Sequence, residues 1–186
     1  MNLMTSRRVA ASSLSVLALL VLTACGSNST NATASSPSQS PPTACVSSPA
    51  TGDGAVTIGG LTASGPQGSK PTVTVIPNAP VPTSLETKDV YVGDGVAIPA
   101  GGTGTWQYTG VSLTTCEVFD SSWDRGTPIS FGLNQVIDGW KQGLPGMKVG
   151  GRRILVIPSA LAYGDDPSSG RPVGPLAFVV DLVSVP

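Results

Sequence analysis

The sequence predicts an α+β domain in which an antiparallel sheet packs on one short helix. Three observations carry that expectation. Short apolar runs with β-branched or alternating character recur between residues 72 and 185 and are separated by glycine and proline. Only residues 136–144 carry helical spacing, with Val136, Ile137, Trp140 and Leu144 at offsets of one, three and four. The composition, with 23 glycines, 17 prolines and only 11% charged residues, suits a turn-rich β domain. One helix among about five strands requires the sheet to curl if both elements are to bury their apolar faces.

The N-terminus comes first in chain order. Arg7 and Arg8 precede an apolar stretch at 14–22, which reads as a secretory signal. The stretch is shorter than the ~20 apolar residues of a spanning helix. It ends Leu22-Thr23-Ala24-Cys25, which resembles a bacterial lipobox. That resemblance implies cleavage before Cys25 and lipid on its thiol, with acyl chains of the palmitate type anchoring the mature protein. The expected location is the extracytoplasmic face of a bacterial cell membrane, tethered through Cys25. Residues 26–42 are Ser-, Thr-, Asn- and Pro-rich and uncharged, and 49–71 remain rich in Gly, Ser and Pro. Such segments bury too little apolar surface to order themselves. The expected organisation is therefore a signal at 1–24, a lipidated cysteine and flexible linker at 25–70, and a folded domain at 71–186.

Within the domain, Thr72-Val73-Thr74-Val75-Ile76 alternates and reads as a strand. Residues 89–92 and 105–115 read as further strands, with Gly101, Gly102 and Gly104 turning the chain between them. Pro145-Gly146 ends the helix, and Gly150-Gly151 makes a tight turn. Residues 152–157 form a strand whose Arg152 and Arg153 read as a solvated edge. Residues 176–185 are largely apolar and read as the central strand.

The charge balance excludes some partners. Ten basic residues stand against 11 acidic ones, and loss of Arg7 and Arg8 with the signal leaves 8 against 11, a net charge of −3. No basic patch clusters on a predicted helix, so nucleic acid is not an expected partner. The chain has no histidine, no Gly-rich phosphate loop, no metal-ligand cluster and no C-x-x-C pair. No metal or cofactor is expected, and hydrolytic or redox chemistry lacks its usual groups.

Residues 108–164 carry a series of short motifs in order. They are Tyr108-Thr109-Gly110, Phe119-Asp120-Ser121-Ser122, Val136-Ile137-Asp138-Gly139-Trp140, Met147 with Gly150, Ile157-Pro158 and Ala162-Tyr163-Gly164. In this order they resemble the FKBP-type peptidyl-prolyl isomerases over roughly residues 71–185. The resemblance sharpens the fold to a half-barrel sheet wrapped on a short helix. It implies isomerisation of X-Pro bonds in exported proteins, by non-covalent stabilisation of a twisted amide in an apolar aromatic pocket. The alternative is a catalytically weak binding or holdase module on the cell envelope.

The resemblance also assigns roles. Trp140 is the platform for the proline ring, Tyr163 the hydroxyl donor to a substrate carbonyl and Asp120 the buried carboxylate beside the pocket. Tyr108, Phe119, Phe131, Val136, Ile137, Val173 and Phe178 are the remaining pocket residues, with Val173 standing in for the family's isoleucine. Implied partners are proline-containing segments of exported proteins, the membrane through Cys25, and macrolide FKBP ligands; a monomer is expected. The loop Asp165-Asp166-Pro167-Ser168-Ser169-Gly170-Arg171-Pro172-Val173-Gly174-Pro175 departs from the family by lacking its Ile-Pro-Pro element, and Ile129 stands where a second aromatic is usual. Cys116 occupies a hairpin-tip position that is glycine in the family, and is expected to be reachable there. Outside the cytoplasm Cys45 and Cys116 can oxidise. A Cys45–Cys116 bridge is expected, with free thiols or an intermolecular bridge as the alternatives.

Overall fold

The structure, a computed structural model, describes residues 52 and 54–186. Signal, lipidation site and Cys45 lie outside the described residues. Nine strands and one α-helix are present among those described: β1 (Val56–Ile58), β2 (Leu61–Ser64), β3 (Thr72–Val75), β4 (Glu86–Tyr91), β5 (Thr103–Ser112), β6 (Val118–Ser121), β7 (Ile129–Gly132), α1 (Asp138–Gly143), β8 (Arg152–Ile157) and β9 (Leu176–Ser184). Strands β1, β2 and β3 form one antiparallel sheet. The main sheet runs β4-β8-β9-β5-β6, with β7 also on β5. Strand β9 is central, as its apolar run predicts.

The ten residues of β5 organise the main sheet. One edge pairs with β9 from Thr105 to Ser112. The other edge is shared, by β7 against Thr103 to Trp106 and by β6 against Thr109 to Val111. The sheet has two covered faces, and the strand period of two sorts its side chains between them. Leu155, Ile157, Leu176, Phe178, Val180 and Leu182 pack with Trp140, Leu144 and Met147 on the helix side. Ile154, Val156, Ala177 and Val179 face Leu61, Ala63 and Val75 of the small sheet. Burial on both faces is why β8 and β9 read as nearly continuous apolar runs.

This second layer corrects the expected domain boundary at 70. Strands β1 and β2 lie inside the expected linker, and Leu61 and Ala63 are fully buried. The Gly- and Ser-rich composition conceals strands this short. Their burial is supplied by the apolar outer face of β8 and β9, not by their own segment. The same layer corrects the expectation for Cys116, which is 6% exposed and packed in this cluster rather than reachable at a hairpin tip. Its φ of 60° lies in the left-handed region, where a Cβ is unfavourable and glycine is the easy choice.

Arg152 and Arg153 are not a solvated edge, because β8 lies between β4 and β9. Arg152 is fully buried. Its Nε and Nη2 donate to the two carboxylate oxygens of Asp181 at 2.6 and 2.7 Å. The same guanidinium donates to the carbonyls of Gly65, Pro66 and Ser69, and so ties the β2–β3 connection to the main sheet. Burial pushes the Asp181 carboxyl above the usual range, against the pull of Arg152. Arg153 pairs with Asp89 at 2.6 Å and donates to the Gly143 carbonyl at 2.9 Å, where α1 ends.

Helix α1 is shorter than the predicted 136–144. Val136 and Ile137 are extended, with ψ of 174° and 153°. The Ile137 carbonyl accepts from the Trp140 and Lys141 amides, so the helix begins immediately after it. Gly139 allows the helix to sit on the sheet, since a Cβ there would lie 2.5 Å from Ile157 Cγ2.

Candidate functional site

A cavity of about 380 Å³ opens between α1 and the main sheet. Its base is Trp140, 4% exposed and fixed by its place in the first helical turn. Phe178 of β9 meets the indole edge-on, at 5.2 Å and 90° between ring planes. Tyr108 of β5 does the same at 5.5 Å and 86°, and Phe131 of β7 is tilted against it at 5.4 Å. Phe119 of β6 meets Phe178 edge-on at 5.6 Å. Such edge-to-face pairs place the positive rim of one ring on the negative face of the next. Gly110 leaves room for the cluster, because a Cβ there would lie 2.7 Å from Phe119 and 2.8 Å from Phe178. The extended Val136 and Ile137 complete the apolar wall.

The polar side is built on Asp120, whose side chain is 38% exposed rather than buried as expected, because it sits at the cavity's edge with Arg125 outside it. The Tyr108 hydroxyl donates to Asp120 Oδ2 at 2.5 Å. Arg125 Nη1 donates to Asp120 Oδ1, and its Nη2 donates to the Tyr108 hydroxyl at 2.9 Å. Burial first, then the bond to Asp120, raises the Tyr108 phenol above its ordinary range. The bond to Asp120 holds the Arg125 guanidinium more firmly protonated. Tyr108 is therefore a neutral, oriented phenol at physiological pH.

Tyr163 lines the cavity from the other chain segment, after β8. The Arg171 guanidinium lies 5.0 Å from the centre of its ring. Neither the Tyr163 hydroxyl nor any Arg171 side-chain nitrogen is hydrogen-bonded to the described residues. The buried Trp140 Nε1 also lacks a partner among them. The loop from Gly164 is closed by the Gly174 amide donating to the Gly164 carbonyl at 3.0 Å. Inside it, Asp166 caps a 3₁₀ turn at Pro167–Ser169.

Asp120, Trp140, Tyr163, Tyr108, Phe119, Phe131, Val136, Ile137 and Phe178 thus share one cavity. Val173 does not line it and is half-buried elsewhere. Arg171, two residues earlier in the same loop, lines the cavity instead. Four contributors were not anticipated: Gln135, Ile129, Arg125 and Arg171. Ile129 alone had a signal, as the residue in an aromatic's usual place. Arg125 and Arg171 sit in irregular segments, where spacing along the chain says nothing about which group a side chain meets. Trp106, fully buried and stacked on Phe131 at 5.8 Å, supports the cluster from behind.

This arrangement can seat an apolar ring on the indole and offer the Tyr163 hydroxyl as a donor at its edge. Three comparisons bear on what such a site belongs to. The model of the family described as FKBP-type peptidyl-prolyl cis-trans isomerase matches residues 97–183. The chain is 51% identical over 114 residues to an FK506-binding protein of Streptomyces anulatus, covering 59% of this chain and 92% of that protein. It is 48% identical over 111 residues to a probable FK506-binding protein of Corynebacterium glutamicum, covering 59% of this chain and 93% of that one. The crystal structure of FkpA from Escherichia coli is 39% identical, with a TM-score of 0.49, over 55% of this chain and 48% of that chain.

Proposed function

The chain belongs to the FKBP-type peptidyl-prolyl cis-trans isomerases, and we propose that Trp140, Tyr163 and Asp120 carry its reaction, on exported proteins at the outer face of a bacterial membrane. The enzyme isomerises X-Pro bonds through an apolar, aromatic pocket. Rotation about an amide meets a barrier of about 18–20 kcal/mol from resonance. The twisted amide is less charge-separated than the planar one, so an apolar pocket disfavours the planar form relative to water. An interaction stronger in the transition state than in the ground state is what raises the rate.

Each group has a place in that scheme. The proline ring sits on Trp140 between Phe178 and Phe131. Tyr163 donates to a substrate carbonyl and holds the peptide while the imide turns. Asp120, bonded by Tyr108 and Arg125, fixes the polar wall beside the rotating bond. The carrying observation is the Tyr163 hydroxyl, which has no protein partner among the described residues and lies on the same cavity as a buried indole floor. Tyr163→Phe is expected to lower kcat/KM about fivefold, the worth of one hydrogen bond of about 1 kcal/mol. Asp120→Ala is expected to cost more, because it removes the acceptor that both Tyr108 and Arg125 share. A protease-free assay on an X-Pro peptide reads both variants, and unchanged rates in the two would remove these residues from the mechanism. The same cavity is the proposed site for macrolide ligands, and the enzyme is proposed to act as a monomer; competition by a macrolide and sedimentation test the two points.

The N-terminal assignments rest on sequence. Residues 1–24 are proposed as a signal, Cys25 as the lipidated residue and the segment after it as a linker to the folded domain. Among the described residues no helix is long and apolar enough to cross a membrane. Cys116 is disulfide-bonded, and Cys45 is its proposed partner. Mass spectrometry of non-reduced protein from membranes is expected to find acyl chains on a peptide starting at Cys25 and a Cys45–Cys116 cross-linked peptide. An unmodified Cys25 or a different cross-link would overturn the respective assignment.

A further inference from the structure

We infer that Arg171 makes this isomerase select an acidic residue immediately before the proline. The inference rests on the pocket assignment above. Two formally charged side chains line the cavity, Asp120 and Arg171. Asp120 is already answered by Arg125, in an ion pair and a hydrogen bond. Arg171 is not answered. The ion pairs among the described residues engage Lys70, Arg125, Lys141, Arg152 and Arg153. The carboxylates on its own loop are turned to other work. Asp165 accepts from Ser159 Oγ at 3.0 Å, and Asp166 accepts from the Ser168 amide and hydroxyl. The pocket therefore presents one uncompensated charge, a cation at its mouth.

Geometry tells this cation from a solvated surface arginine. Its guanidinium lies over the Tyr163 ring, an arrangement that holds the planar group in place while leaving N–H donors free. Tyr163 is the group assigned above to a substrate carbonyl, here taken to be that of the rotating bond. The carbonyl of the rotating bond belongs to the residue before proline. With the proline ring on Trp140 and that carbonyl at Tyr163, the preceding side chain leaves the pocket beside Arg171. A glutamate or aspartate there gains a charge-assisted hydrogen bond. A lysine or arginine meets a like charge, and the carboxylate on the cavity wall, Asp120, is already paired with Arg125.

The test is kcat/KM for a matched peptide series with Glu, Gln, Leu or Lys before proline. It is run on wild type, Arg171→Gln, Arg171→Lys and Arg171→Glu. In wild type, Glu-Pro is expected to exceed Lys-Pro by about fivefold, the scale of an exposed ion pair. The ratio is expected to fall toward one in Arg171→Gln, persist in Arg171→Lys and invert in Arg171→Glu. It is also expected to shrink at about 0.5 M salt, where exposed charges are screened. A wild-type ratio near one overturns the inference. So does an unchanged ratio with a uniform rate loss in Arg171→Gln, which would make Arg171 only a prop for Tyr163. Tyr163→Phe on the Leu-Pro peptide separates the two levels of the argument. A rate loss there with a flat Glu/Lys ratio overturns the selectivity alone, and no rate loss overturns the pocket assignment with it.

Discussion

Asp181→Asn is expected to destabilise the domain by about 3–5 kcal/mol, the cost of leaving one partner of a buried ion pair unanswered. Asparagine keeps the shape and one acceptor, yet leaves the Arg152 cation buried without a counter-charge. Arg152 is fully buried and Asp181 is 7% exposed, so little water can compensate. The loss should extend to the small sheet, because the same guanidinium holds the carbonyls of Gly65, Pro66 and Ser69. Urea unfolding measures the first effect, and amide exchange in β1–β3 measures the second. The double variant Arg152→Met with Asp181→Leu removes both charges and is expected to lose less than the single variant. A single-variant loss below about 1 kcal/mol would show that the pair is not isolated from solvent in solution.

Trp140→Ala is expected to cost about 3–5 kcal/mol of stability and to reduce kcat/KM far more than Tyr163→Phe does. The indole is 4% exposed and touches Trp106, Tyr108, Phe131 and Phe178, so its removal opens the core and the pocket floor together. Trp140→Phe separates the two effects. It keeps an aromatic in the core and is expected to stay folded, while offering the proline ring a smaller platform. Circular dichroism confirms folding before rates are compared. Full activity in folded Trp140→Phe and Trp140→Ala would exclude the indole as platform.

Much of the main sheet was legible in the sequence, for a local reason. Strand β8 occupies the predicted 152–157, and β9 fills most of 176–185, because β-branched and apolar runs between glycines and prolines encode strands directly. The helix was legible in existence but not in extent. Apolar offsets include Val136 and Ile137, whereas the chain is extended at both and becomes helical at Asp138. Spacing reports which residues share an apolar environment, and a cavity wall counts as one. Strands β1 and β2 were illegible, because the surface that buries them, on β8 and β9, is remote in the chain.

The candidate site divides in the same way. The amino-acid sequence by itself determined the aromatic inventory, the motif order from Tyr108 to Tyr163 and the family that this order resembles. These are properties of residue type and short spacing. The tertiary structure decided which charges meet: Arg125 with Asp120, Arg152 with Asp181, and Arg171 with the face of Tyr163 rather than with a carboxylate. It also decided that Arg171, and not Val173, lines the pocket. Side chains of irregular loops have no period, and the partner of a long cation is chosen by what the folded chain brings within a few ångströms.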